Sequence, residues 1–158
     1  MGDSLPLLIR QATIDDLETL CSIERECFTL EAFTKDQMRY LLENPKGISL
    51  IAQTDNEIAG FIVGIVCNCG TERIGDVYTL DVAAKHRRKG IGLRLLRELE
   101  QRFAHSGIEA CVLEARAENA AALELYQKEG YVKVHLIKDL YSNGIDGIRL
   151  MKKLAIPQ

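Results

Sequence analysis

The stretch Val77–Leu99, VYTLDVAAKHRRKGIGLRLLREL, decides how the rest of the chain is read. Its first six residues alternate, with Val77, Thr79 and Asp81 pointing one way and Tyr78, Leu80 and Val82 the other, the period of a β-strand. A basic glycine-rich turn follows, Arg87-Arg88-Lys89-Gly90-Ile91-Gly92, and Leu93 onward recurs at helical spacing. Strand, turn and helix in that order make an anion site. Gly90 and Gly92 permit backbone conformations closed to residues with a Cβ and let a ligand approach bare amides. The first N–H groups of a helix have no partner inside it, and the helix dipole adds positive charge there, so a pyrophosphate fits where they converge. The same residues also suit a solvated turn ahead of an ordinary amphipathic helix. No Gly-Lys-Ser/Thr ends the stretch and no GxGxxG opens it, which excludes a P-loop and a dinucleotide fingerprint.

Working outward, a chain of 158 residues is expected to form one domain over residues 1–158. With 47% hydrophobic and 27% charged residues the composition is that of a soluble globular protein. No apolar run approaches the ~20 residues of a membrane span, and Pro6 stands where a myristoylation motif needs Ser or Thr. A cytoplasmic location without a membrane partner is therefore expected. A net charge of −3 argues against a nucleic-acid partner, since the positive charge is local, at Lys85 to Lys89. Five cysteines, Cys21, Cys27, Cys67, Cys69 and Cys111, form no even framework and no Cys-x-x-Cys pair, so reduced thiols and no metal are expected. The oligomeric state stays open between monomer and weak dimer.

In chain order, Leu7–Ala12 reads as a strand, and Thr13 with Asp16 as a helix start leading into Leu17, Leu20, Ile23 and Cys27 at helical spacing. Thr34 caps a second helix that stops before Asn44-Pro45, because the residue before proline disfavours the α region. The connection Phe28–Phe33 holds two aromatics and Glu31, with Phe33 expected in the core. Ile48–Thr54, Asp55-Asn56-Glu57 and Ile58–Cys67 read as a hairpin whose second strand, apolar on both faces, belongs in the middle of a sheet. Gly70 to Gly75 reads as the next turn. The helix after Gly92 buries Leu95, Leu96, Leu99 and Phe103 and ends at Ser106-Gly107. Ala110–Ala115 is a strand, Asn119 caps a helix running to about Glu129, and Tyr131–Leu140 with Ile145–Leu154 form a hairpin around Asn143-Gly144.

Two segments resemble a known family. Arg87-x-x-Gly90-x-Gly92, preceded by Leu80-x-Val82 at a strand end, resembles the acetyl-coenzyme A signature Gln/Arg-x-x-Gly-x-Gly/Ala of the GNAT acyltransferase superfamily. Residues 113–126, LEARAENAAALELY, followed by Gly130-Tyr131, look like the RimI branch of protein N-terminal acetyltransferases, with Ard1-like enzymes related to it. In that branch the segment has a base on the strand, an asparagine at the helix start and a tyrosine seven residues later, here Glu114, Asn119 and Tyr126. The resemblance, from about Leu7 to Leu154, implies an α/β (α+β) GNAT fold. That fold is a mixed central sheet of about seven strands flanked by about four helices, with the acetyl-CoA cleft between two splayed strands. It further implies that main-chain groups of Leu80, Asp81 and Val82 hold the pantetheine arm. Arg87, Arg88, Lys89, Gly90, Ile91, Gly92 and Leu93 would wrap the pyrophosphate, and Asn119 would touch the arm while capping its helix. Acetyl-CoA is then the cosubstrate, without a metal, and a protein or peptide N-terminus is the partner. Phe28, Glu31 and Tyr141 would line the peptide.

Acetyl transfer to an amine needs an unprotonated nucleophile, a stabilised oxyanion and a proton for the departing thiolate. By the resemblance Glu114 is the base, through a water, and Tyr126 the acid; otherwise Glu114 pairs with a neighbour such as Arg116, and Tyr126 faces the core beside Leu123. Leu30-Glu31-Ala32 only partly matches the Pro-Glu-Asn of the Ard1-like branch, Phe28-Thr29-Leu30 alters the Phe-Pro-Trp-like segment of RimI, and Gly147–Met151 departs from RimI's Glu-Asp-Ala segment. The alternatives are an acetyltransferase of small amines, such as amino acids or polyamines, and a catalytically silent acyl-CoA-binding module.

Overall fold

The computed structural model describes residues 6–28, 30–155 and 157. Among them are strands β1 (Leu7–Gln11), β2 (Gly47–Thr54), β3 (Glu57–Cys69), β4 (Glu72–Val82), β5 (Ala110–Arg116), β6 (Val132–Tyr141) and β7 (Ile145–Lys153). The helices are α1 (Leu17–Cys27), α2 (Lys35–Glu43), α3 (Ile91–His105) and α4 (Ala120–Lys128). The strands form one mixed sheet in the order β1-β2-β3-β4-β5-β7-β6. The expected mixed sheet of seven strands and the four expected helices are present among the described residues. Two compact units divide the chain, one of residues up to 65 with 78–101, the other of residues 66–77 with those from 102 onward.

In the first unit β2 pairs antiparallel with β1 and with β3, from Leu7↔Thr54 to Gln11↔Leu50 and from Gly47↔Ile65 to Thr54↔Glu57. The hairpin turn is two residues long, Asp55 and Asn56, both at positive φ (50° and 63°). That is the primed geometry whose twist matches the flanking strands, and it leaves Glu57 in β3 rather than in the turn. Thr13 opens a 3-10 turn ahead of α1, its N–H donating to the Asp16 carboxylate at 2.8 Å, and Arg10 grips both oxygens of that carboxylate at 2.9 Å. Thr34 and Gln37 exchange the two hydrogen bonds of a capping box at the start of α2. Leu20, Met38, Leu50, Ile51, Phe61, Leu95 and Leu99 are the buried core. Phe28 and Phe33 are only half-buried, so Phe33 does not take the core position expected of it; Thr29 lies outside the described residues.

In the second unit β5 pairs antiparallel with β7 from Ala110↔Lys153 to Arg116↔Gly147, and β7 pairs with β6. The segment Ile74–Asp76 of β4 pairs parallel with Ala110–Val112. Gly75 is therefore a strand residue, which corrects the expected turn at Gly70–Gly75: the chain turns at Gly70 (φ 64°) and Thr71, and β4 begins at Glu72. A Cβ at Gly75 would lie 2.4 Å from the Phe103 ring, so this glycine makes room for an aromatic from α3. Phe103, Ile108, Cys111, Leu113, Tyr131 and Leu150 are buried in this unit. Gly107 (φ 80°) and Gly130 (φ 100°) follow α3 and α4, where left-handed residues end helices.

Candidate active site

In the first unit the chain leaves β4 at Val82 and reaches α3 through the basic bend. Arg88 sits at φ 64° and Gly90 at φ 76°. Left-handed residues alternating with ordinary ones turn successive N–H groups toward one concavity, a conformation that receives anions. A Cβ at Gly90 would meet nothing within 4 Å, and one at Gly92 only Val82 Cγ2 at 3.5 Å. The space in front of both glycines is thus unfilled by the protein. The first turn of α3, fifteen residues long, carries no acidic residue to offset its positive end. The residues present fit a diphosphate.

The cations around this bend have different roles. Arg88 and Lys89 are exposed. Arg87 turns back along the strand, its Nε donating to Val82 O at 3.1 Å and its Nη2 lying 3.4 Å from Cys27 Sγ. Lys85 pairs with Glu57, which also meets His86 Nε2 at 3.1 Å. Asp81, expected among the coenzyme contacts, turns its carboxylate into the interior. Its Oδ1 lies 2.5 Å from Thr79 Oγ1, which lies 2.9 Å from Glu24 Oε1, and Oδ2 is buried with no hydrogen-bond partner among the described residues. Only main-chain atoms of Asp81 can reach a ligand. Phe28 and Glu31 belong to the connection between α1 and α2, pinned at its far end by the Phe33 N–H donating to Glu24 Oε2 at 3.0 Å.

The second unit presents a polar face. Glu114 and Arg149 are paired across β5 and β7, and Arg149 Nη2 donates to Glu114 Oε1 at 3.1 Å. That register gives Glu114 a different neighbour from the Arg116 named as the alternative partner; Arg116 instead approaches Glu118 at 3.6 Å and lies over the Tyr141 ring at 4.9 Å. The Glu114 carboxylate holds the Arg149 guanidinium more firmly charged than usual, and Arg149 Nε is buried with no partner among the described residues. Asn119 caps α4 as expected, its Oδ1 accepting from the Ala122 N–H at 3.1 Å. Tyr126 is half-buried, its ring edge-on to Tyr131 at 6.0 Å and 68°. Burial pushes its phenol above the ordinary value, so it keeps its proton at neutral pH.

Asp76 and Arg149 are not among the residues expected from the sequence. The boundary placed after Gly75 left Asp76 outside the alternating strand, and extending the alternation N-terminally by one position would have included it. Arg149 is found only once the hairpin register sets it opposite Glu114. Asp76 is half-buried, and its carboxyl is pushed up to about 6 by burial first and the Glu114 charge second, with Arg149 acting in the opposite direction.

Several known proteins are similar to this chain. The chain is 32% identical over 116 residues to an N-alpha-acetyltransferase 30 of Xenopus laevis, covering 71% of this chain and 41% of that one. It thus spans well under half the length of that relative, and 31% of the human and mouse counterparts. It is 28% identical over 170 residues to the N-alpha-acetyltransferase RimI of Mycobacterium tuberculosis, covering 99% of this chain and 98% of that one. A solved structure of a NatC complex bound to Gag peptide and CoA shares the fold, with a TM-score of 0.85 at 21% identity over 94% of this chain and 99% of that one. Residues 17–131 match the model of the acetyltransferase (GNAT) family, a span holding the basic bend, Glu114, Asn119 and Tyr126, and with that match the chain belongs to the GNAT family of acetyltransferases.

Proposed function

We propose that residues 1–158 form one acyltransferase domain that works in the cytoplasm and moves an acetyl group from acetyl-CoA to the α-amine of a protein or peptide N-terminus. The observation that carries the donor is the bend at Arg87–Leu93: two glycines with unfilled space before them, at the positive end of a long helix. The CoA and peptide bound in the NatC complex support the same donor and acceptor class here. An α-amine has a reference pKa of about 7.7–8.0 against about 10.4 for lysine, so freeing it of its proton near neutrality takes roughly 3–4 kcal/mol less. That difference favours N-termini.

Acetyl-CoA supplies the acyl group and a thiolate leaving group. The new N–C bond forms as the C–S bond breaks; the amine gives one proton to a carboxylate of the enzyme, and the sulfur receives one from the Tyr126 phenol. Main-chain groups of Leu80 and Val82 align the arm, and Asn119 steadies the start of α4. Phe28, Glu31 and Tyr141 are proposed to contact the peptide.

The test is mass spectrometry of peptides differing in their first residue, alongside amino acids and polyamines, after incubation with acetyl-CoA. Acetylated α-nitrogens on the peptides are expected. Turnover only on small amines would refute the peptide reading, and tight CoA binding without any turnover would point to a silent module. For the donor site, Gly92→Val is the clean variant, because Gly90 needs its positive φ whatever binds. Its side chain would occupy the open space, and calorimetry should show acetyl-CoA affinity reduced at least about tenfold, with thermal stability nearly unchanged.

A further inference from the structure

We infer that Asp76 is a second acid-base residue of this enzyme, taking the proton of the incoming amine directly or through one water while the Glu114–Arg149 pair sets its charge. The inference rests on the proposed N-acetyltransfer. Asp76 is the partner of Val112 in the parallel β4–β5 pairing, and Glu114 lies two residues beyond Val112 on β5. Side chains paired across a ladder share a face, as do residues two apart on one strand, so Asp76, Val112 and Glu114 project from the same side of the sheet. Arg149 joins them from β7, and His135 of β6 is the next residue along that row.

Three features of this face mark it as more than a structural ion pair. Arg149 satisfies Glu114 through Nη2 while its Nε stays buried without a partner among the described residues, a donor left for a water or a ligand. Glu114 is already engaged by a guanidinium, its Oε1 accepting from Arg149 Nη2 at 3.1 Å. Asp76 is half-buried and lies in the field of both, so its affinity for a proton sits nearer to neutrality, where a general base is most effective. The charged and titratable groups facing it are Glu114 on β5 and Arg149 on β7, with Cys67 of β3 acting on Arg149 and His135 of β6 standing opposite Arg149 in the ladder. In the step itself, one proton passes from the amine nitrogen to an Asp76 carboxylate oxygen as the nitrogen's electron pair forms the bond to the acyl carbon.

Two measurements on the full chain decide it. Carbon-13 carboxyl NMR of the protein without coenzyme should show one aspartate titrating near pH 6 that is absent in Asp76→Asn and moves to lower pH in Glu114→Gln. The pH profile of kcat/KM on an acceptor peptide with a free N-terminus should have an acid limb at the same pH, lost in Asp76→Asn together with about 100-fold in kcat, while acetyl-CoA affinity stays within about twofold. Coenzyme affinity and the NMR spectrum of Asp76→Asn report whether the variant is folded. A carboxyl that titrates like an ordinary aspartate, or an Asp76→Asn enzyme that keeps both rate and limb, overturns the inference. An intact titration near 6 in an enzyme that acetylates no peptide would instead overturn the N-terminal reading, and the acid-base role with it.

Discussion

Asp81 and Asp76 stand five residues apart on one strand, β4, and meet opposite fates. Asp81 is 1% exposed, shares the Thr79 hydroxyl with Glu24, and is pushed up to about 9, first by burial and then by Glu24. A threonine hydroxyl has one proton to give. With an acceptor oxygen on either side the hydroxyl cannot serve both at once, and Asp81, raised by burial and by Glu24, is the acid that keeps a proton. Asp76 also carries a neighbouring carboxylate, but it is half-buried and a guanidinium stands on the same face, so it stops near 6. Burial alone thus does not make a base. A carboxyl sealed beside another carboxyl is locked neutral, whereas one at a half-open face beside an ion pair changes charge close to neutral pH.

The largest expected effect breaks the sealed cluster. Thr79→Val keeps the shape but removes the hydroxyl that both carboxyls share, leaving two buried acids without their common partner. Urea denaturation should show a loss of about 2–4 kcal/mol. The next variant sharpens the contrast. In the folded chain Asp81 keeps its proton up to about pH 9, whereas in the unfolded chain it gives it up near 3.8. Between those values the folded state holds more protons, so this residue makes stability fall as pH rises, and the penalty is complete above pH 9. Asp81→Asn presents the same donor to Thr79 without a titrating group. Its melting temperature should exceed that of the parent at pH 8, by several degrees, and the two should converge toward pH 4. A parent whose stability is flat between pH 5 and 8 would refute the protonated Asp81.

The same strand shows what could be seen in the sequence. The glycine-rich bend, the Asn119 cap and the Asn-Gly hairpin were legible because each is a local device: a positive φ, an orphan N–H or a tight turn needs a particular residue at a particular offset. The strand and helix order followed from hydrophobic period. The alternation puts Thr79 and Asp81 on one face of a strand without a sign that this face is the interior, because only α1, fifty-five residues away, supplies the Glu24 that makes burial tolerable. The turn expected at Gly70–Gly75 ends early, at Thr71, for a related reason. Glycine marks a turn in isolation, yet Gly75 is needed for a ring arriving from Phe103, a contact no local pattern records. Arg149 likewise acquires its meaning across a hairpin register.

The smallest expected effect tests the open end of the comparison. Arg149 opposes the upward push on Asp76, and Glu114 adds to it, so removing each should move the titration in opposite directions. Arg149→Met keeps the length of the stem and deletes the charge. Glu114 then acts on Asp76 without its counter-ion, and the acid limb of the rate profile should rise, by up to about one pH unit, above the parent's position near 6. At pH 6.5 the variant should be slower than the parent, and at pH 8.5, where Asp76 is ionised in both, the two rates should approach one another. Both partners of the pair keep some solvent contact, 37% for Arg149 and 23% for Glu114, so the loss in folding stability should stay near 1 kcal/mol or below. A limb that moves downward, or stays fixed in both Arg149→Met and Glu114→Gln, would mean that Asp76 does not feel this pair and that its neighbours on β4 set its proton affinity instead.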